Sequence, residues 1–178
     1  VIDEAYGEFA DDIDTPHFDL ASKSATVVLR TFSKAYGLAG LRVGWGVFPA
    51  YVAEEMRKVM NPNSVSAPAQ AAALAALRDQ DYMRATCTLT QNARAQAQAN
   101  LQDLGLKTYP SHTNFILIDF GTPERAAHAD AALRSEGVFL RAQNGAGLGS
   151  CLRMTLAPDA AMTRAYDILK TLKSEDPL

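Results

Sequence analysis

Two short apolar runs, Thr26-Val27-Val28-Leu29 and Val43-Gly44-Trp45-Gly46-Val47-Phe48, enclose the polar stretch Ser33-Lys34-Ala35-Tyr36-Gly37-Leu38-Ala39-Gly40-Leu41-Arg42. The β-branched content of the runs reads as two buried strands, neighbours in one sheet, which places Lys34 at a strand end. Val1-Ile2-Asp3 reads as the end of another buried strand, with Asp3 and Tyr6 where it gives way to a loop. Open α/β sheets bind ligands at such carboxyl ends. A lysine delivered there meets low dielectric, which disfavours the ammonium and favours the nucleophilic amine that forms Schiff bases. Gly37 and Gly40 let the backbone turn tightly or approach a bound group, and Arg42, eight residues beyond Lys34, offers a planar fork suited to a phosphate. On spacing alone an ordinary reading competes: solvated charges on a loop, and for Asp3 a helix cap or turn.

The rest of the chain builds two organisations around this stretch. Residues 8–24 are polar and read as a loop and a short helix, with His17 a surface histidine lacking any partner at metal-ligand spacing. The strand over 25–31 brings Thr31 and Ser33 beside Lys34. Pro49 opens a helix whose Tyr51, Val52, Met56 and Val59 have the spacing of one buried face. Ser66-Ala67-Pro68 starts another, alanine-rich to Arg78, and a long helix from Asp81 ends at Gly105. The domain boundary is placed near Gln80, giving residues 1–80 and 81–178. The second part reads as a compact α+β unit, with strands over 107–109, 114–119, 138–141 and 151–156 and helices over 123–136 and 159–172. Arg141 and Arg153 fall within its apolar strands, where an unpaired guanidinium is costly, so each should meet an anion, a carbonyl or solvent.

Composition removes several classes of function. A net charge of -3 gives no basic field for nucleic acid, and no apolar run approaches the length needed to cross a bilayer. Cys87 and Cys151 show neither a CxxC nor metal-like spacing to a histidine, and read as reduced thiols of a cytoplasmic protein with no metal.

The segment Thr-Phe-Ser-Lys-Ala-Tyr-Gly-Leu-Ala-Gly-Leu-Arg-Val-Gly, residues 31–44, resembles the lysine segment of class I/II pyridoxal-phosphate aminotransferases, in particular the histidinol-phosphate aminotransferase branch. The resemblance implies an α/β fold: the C-terminal part of a fold-type I PLP-transferase, with a portion of the large-domain sheet plus a small α+β C-terminal domain. It implies that Lys34 is catalytic and holds pyridoxal 5'-phosphate as a Schiff base, and that Arg42 binds its phosphate with help from Ser33 and Thr31. Asp-Glu-Ala-Tyr resembles the segment whose aspartate pairs with the pyridine nitrogen and whose tyrosine bonds the phenolic oxygen, implying those roles for Asp3 and Tyr6. On the substrate side, Leu-Arg-Met-Thr implies that Arg153 grips the α-carboxylate, and Arg-Ala-Gln-Asn that Arg141 contacts a substrate phosphate. Ala157-Pro158 and the glycine-rich 145–149 loop depart from the family pattern on that side.

The implied reaction is amino transfer between a small-molecule amino donor, histidinol phosphate, and the 2-oxo acid 2-oxoglutarate, in a homodimer. Aromatic amino-acid aminotransferases of the same branch share the cofactor residues and remain an alternative. The chain opens inside a strand without Met, and is expected to be a C-terminal half that is not catalytically competent alone; a non-catalytic folded fragment is the alternative of another class.

Overall fold

The computed structural model describes residues 1–10 and 17–175. The part of the expected loop at 11–16 lies outside the described residues. The chain divides into two compact units, Val1–Leu89 and Thr90–Leu178.

The first unit is built on a three-stranded sheet of β1 (Ile2–Asp3), β2 (Val28–Thr31) and β3 (Gly44–Val47), in that order. β1 runs parallel to β2, and β2 antiparallel to β3, with Thr31 opposite Gly44. The carboxyl ends of β1 and β2 and the start of β3 therefore share one edge. Helix α1 (Phe18–Lys23) precedes β2, and α2 (Ala50–Val59), α3 (Ala67–Arg78) and the start of α4 (Gln80–Asp103) follow β3. The Ser66 hydroxyl accepts the Ala69 N–H at 3.3 Å, an N-cap in front of Pro68, as the sequence predicts. The dense alanines of α3 let it approach closely: Ala69 and Ala73 are buried against Phe32 and Val43.

The apolar stripe of α2 differs from its expectation. No α2 residue is buried, and Tyr51 and Val59 are 60% and 84% exposed. A 3.6-residue period identifies a face able to bury, but not what covers it.

The second unit carries a four-stranded antiparallel sheet ordered β4 (Lys107–Thr108), β5 (Phe115–Asp119), β7 (Leu148–Thr155) and β6 (Arg141–Gln143). Helices α5 (Pro123–Ser135) and α6 (Asp159–Glu175) complete it. Ile116 and Ile118 alternate inward from β5 and join Leu101, Leu133, Leu152 and Leu169 in a core from which water is excluded.

Two glycines end helices by one mechanism. Gly105 (φ +75°) and Gly137 (φ +75°) take the left-handed conformation, so that Leu106 donates to Leu101 O at 3.0 Å and Val138 to Leu133 O at 2.9 Å. The second closure explains a correction. Val138 is engaged in capping α5, so the strand expected over 138–141 begins only at Arg141 and extends to Gln143. Its partner β7 likewise starts at Leu148, earlier than expected, after a 3-10 turn over Asn144–Ala146. Among the described residues no helix is long and apolar enough to cross a membrane.

Candidate active site

The loop bearing Lys34 is anchored at both sides of the lysine. Phe32 and Ala35 are buried, and Phe32, with the Tyr36 ring tilted against it at 5.0 Å, packs on Ala69 and Ala73 of α3. Phe32 N–H donates to Val43 O at 3.2 Å and Leu38 N–H to Phe32 O at 2.9 Å, which closes the loop at its base. Gly37 (φ +72°) makes the turn and donates to Lys34 O at 2.9 Å. With its neighbours fixed, Lys34 projects from the carboxyl edge of the sheet, half-buried, its Nζ 5.0 Å from the centroid of the Tyr6 ring. It is thus less enclosed than a lysine at the end of a buried strand was expected to be.

The other residues singled out in this unit gather at the same edge. Asp3 ends β1, is exposed, and accepts the Ala5 N–H at 3.0 Å. The Thr31 hydroxyl donates to Ser33 Oγ at 2.9 Å and accepts the Ser33 N–H at 3.1 Å. That leaves Ser33's own O–H to donate outward. Arg42 stands just before β3 in the left-handed conformation (φ 52°, ψ 46°), the one non-glycine among the described residues with positive φ. Its Nη1 donates to Ala39 O at 2.9 Å, fixing an exposed guanidinium with further donors to offer.

Immediately behind this edge lies a buried charge cluster that the sequence reading did not single out. Arg30, inside the apolar run of β2, donates from Nε to Glu4 Oε2 at 2.7 Å and from Nη1 to Glu8 Oε1 at 2.9 Å. His17 is half-exposed but not a simple surface histidine, because its ring Nδ1 and its backbone N–H both meet Glu4 Oε1. Burial alone would raise the Glu4 carboxyl, yet the bonds from His17 and Arg30 and the Arg30 charge hold it below its ordinary value. Burial likewise works against the Arg30 cation, and the Glu8 and Glu4 bonds raise it in spite of that. The available signal was Arg30 itself, a charge in a four-residue strand otherwise suited to burial.

In the second unit Arg141 and Arg153 stand directly opposite on β6 and β7, so both leave one face of the sheet. Arg141 is exposed at the start of its strand and bears no burial cost; of the anion, carbonyl or solvent expected to meet it, it meets solvent. Arg153 is half-buried; its guanidinium lies 4.8 Å from the Phe115 ring centroid, and its Nε is buried with no hydrogen-bond partner among the described residues. Two adjacent guanidiniums and an unsatisfied buried N–H form a natural seat for an anion.

Lys34 thus shares the carboxyl edge of an α/β sheet, where open sheets bind ligands, with the hydroxyls of Thr31 and Ser33, the Asp3 carboxylate and the Arg42 guanidinium. The family model for aminotransferase class I and II matches residues 1–169. The chain belongs to this family. It is 39% identical to the histidinol-phosphate aminotransferase of Jannaschia sp. (strain CCS1) over 97% of its own length and 48% of the relative's. With the histidinol-phosphate aminotransferase of Akkermansia muciniphila the identity is 40%, over 96% of this chain and 46% of the relative. The crystal structure of histidinol-phosphate aminotransferase from Sinorhizobium meliloti in complex with pyridoxal-5'-phosphate superposes with a TM-score of 0.87 at 35% identity, covering 96% of this chain and 48% of that one. The mixed α/β architecture is that of these enzymes. The chain spans about half the length of the curated relatives it matches.

Proposed function

We propose that the whole protein is a pyridoxal-phosphate-dependent aminotransferase that converts histidinol phosphate and 2-oxoglutarate to imidazole acetol phosphate and glutamate, in histidine biosynthesis. The observation that carries the reading is the convergence of Asp3, Tyr6, Thr31, Ser33, Lys34 and Arg42 on one sheet edge, with Lys34 Nζ against Tyr6. The donor set fits the cofactor: hydroxyls and a guanidinium for a phosphate, a carboxylate for a ring nitrogen, a phenol and an amine. When bound, pyridoxal phosphate supplies an electron sink for a carbanion at the amino donor's reacting carbon.

The chain's own residues then divide the work. Lys34 would hold the cofactor through its amine, and the same amine would move a proton at the amino donor's reacting carbon as general base and acid. Asp3 would favour the protonated form of the ring nitrogen, and Tyr6 would donate to the phenolic oxygen. Ser33 and Arg42 would hold the phosphate, with Thr31 helping by orienting the Ser33 hydroxyl, and so would fix the cofactor in place. Arg153 binds the α-carboxylate of glutamate, with its buried Nε gaining the acceptor it lacks, and Arg141 takes the phosphate of the donor. The enzyme is assigned to the cytoplasm as a homodimer.

The test is to incubate the chain with pyridoxal phosphate, reduce with borohydride and map the adduct by peptide mass spectrometry, with Lys34→Ala as control. One adduct at Lys34 is expected; scattered adducts, or none, would overturn the cofactor assignment for this chain. Comparing histidinol phosphate with aromatic amino acids as donors, in the whole protein, then decides the substrate.

A further inference from the structure

The mechanism above uses Tyr6 but leaves unexplained what fixes it. Tyr6 sits in a short segment between two acidic residues, Glu4 and Glu8, whose side chains are almost wholly buried at 4% and 7% exposure. A single guanidinium reaches both. Arg30 Nε and Nη2 meet Glu4 Oε2 at 2.7 and 2.6 Å, and Nη1 meets Glu8 Oε1 at 2.9 Å, so one planar group on β2 holds the segment on either side of the tyrosine. A planar fork suits this: it fixes the directions of its bonds to both carboxylates, whereas an ammonium could reach two carboxylates but would not fix their directions.

The backbone is shaped to the same group. A Cβ at Gly7 would lie 2.7 Å from Arg30 Cζ, so the residue following Tyr6 has no room for a side chain while the guanidinium is in place. Phe18, at the start of α1, lies under Arg30 with 5.3 Å from Cζ to its ring centroid. Gly7 N–H donates to Glu4 O at 2.9 Å and Phe9 N–H to Tyr6 O at 3.0 Å, and the Cys87 thiol donates to Glu8 O at 3.0 Å. The segment is thus a tight turn folded over a buried arginine, and Tyr6 is the residue it presents toward Lys34.

We propose that Arg30 is a positioning residue: by binding Glu4 and Glu8 together it sets the Tyr6 ring beside the Lys34 amine. The catalytic meaning of that setting rests on the aminotransferase reading; the setting itself does not.

The experiment reads the Tyr6–Lys34 geometry directly. In the chain without cofactor, an aromatic ring beside Nζ displaces the resonance of the Lys34 ε-methylene protons by its ring current, and Tyr6→Leu gives the resonance without the ring. Arg30→Met is expected to move it most of the way to the Tyr6→Leu position, Glu8→Gln part of the way, and Arg30→Lys also part of the way. A destabilised fold elsewhere does not move this resonance. If Arg30→Met does not fold, Glu8→Gln decides; a wild-type Lys34 resonance in every folded variant overturns the proposal. A second arm titrates the visible absorption of the pyridoxal phosphate adduct, whose midpoint is expected to shift in Glu8→Gln. If the wild-type chain forms no adduct at all, the cofactor reading fails while the ring-current arm still decides the role of Arg30.

Discussion

Arg141 and Arg153 are direct cross-strand partners on β6 and β7, two like charges set side by side on one face of a sheet. Such pairs oppose folding by roughly a few tenths of a kcal/mol to about 1 kcal/mol, less in high salt, and are retained where an anion repays them. Arg141→Ala is therefore expected to raise the thermal stability of the chain slightly at low ionic strength and to weaken the stabilising effect of added inorganic phosphate. Melting curves with and without phosphate, at two salt concentrations, check this. A lower melting temperature with an unchanged phosphate effect would mean that Arg141 is a structural surface residue.

Arg42 holds a left-handed backbone that costs a non-glycine residue about 1–2 kcal/mol, against about 0.5–1 kcal/mol of extra chain entropy that a glycine would lose on folding. Arg42→Gly should accordingly leave stability unchanged or raise it by up to about 1.5 kcal/mol. If Arg42 binds the cofactor phosphate as proposed, the same change removes a charge-assisted contact, and about a tenfold loss of pyridoxal phosphate affinity or more is expected. Arg42→Ala keeps the strain and loses the grip, so it should match glycine in affinity but fall below it in urea midpoint. Equal stability of the two variants would put the strain no higher than the chain entropy a glycine loses, about 0.5–1 kcal/mol.

Much of this was legible in the sequence because it is local. The β-branched run of β2, the Ser66 cap and the glycines at 105 and 137 each act within a few residues of themselves, and a linear reading captures them. The Arg30 cluster was not legible in that way. Its partners Glu4 and Glu8 are 26 and 22 residues distant, and only the pairing of β1 with β2 brings them together. The same limit explains α2, where periodicity describes a face without naming its cover, and β6, where capping of α5 at Val138 displaced the start of the strand. At the site, the lysine loop could be read from its own residues, whereas the opposition of Arg141 and Arg153 depends on a register that no spacing reveals.

Asp119 ends β5 and gathers three hydrogen-bond donors and one nearby positive charge. The Gly121 N–H at 2.9 Å and the Ser150 hydroxyl at 2.8 Å lower its pKa most; burial opposes them, and the Tyr109 hydroxyl at 3.0 Å and the Lys107 charge add to the lowering. A carboxylate whose folded pKa lies below its unfolded value stabilises the fold above that unfolded value, about 4, and the contribution is lost as pH falls through the folded one. Asp119→Asn should cost about 1–3 kcal/mol at neutral pH. The gap between wild type and variant should then close as pH is lowered below about 4. Urea denaturation across that range measures it, and a gap independent of pH would assign the loss to packing alone.

Phe32 ties the stability of the first unit to the placement of Lys34. It is 3% exposed, contacts Ala69 and Ala73 of α3 through their shared cluster, has the Tyr36 ring tilted against it, and its backbone accepts the Leu38 N–H that closes the lysine loop. Truncating a buried phenylalanine costs about 3–5 kcal/mol, because the alanines opposite are too small to collapse into the space. Phe32→Leu fills most of that volume and should lose far less. Both effects concentrate in the segment from Phe32 to Val43, so hydrogen exchange is the discriminating measurement: the Gly37 and Leu38 amides should exchange much faster in Phe32→Ala and nearly as slowly as wild type in Phe32→Leu. Since Lys34 lies between those hydrogen bonds, trapping of pyridoxal phosphate at Lys34 should fall in Phe32→Ala in parallel with the loss of protection. Retained trapping in a variant whose loop amides exchange freely would show that the lysine is placed by its own contacts, Tyr6 among them, and not by the closed loop.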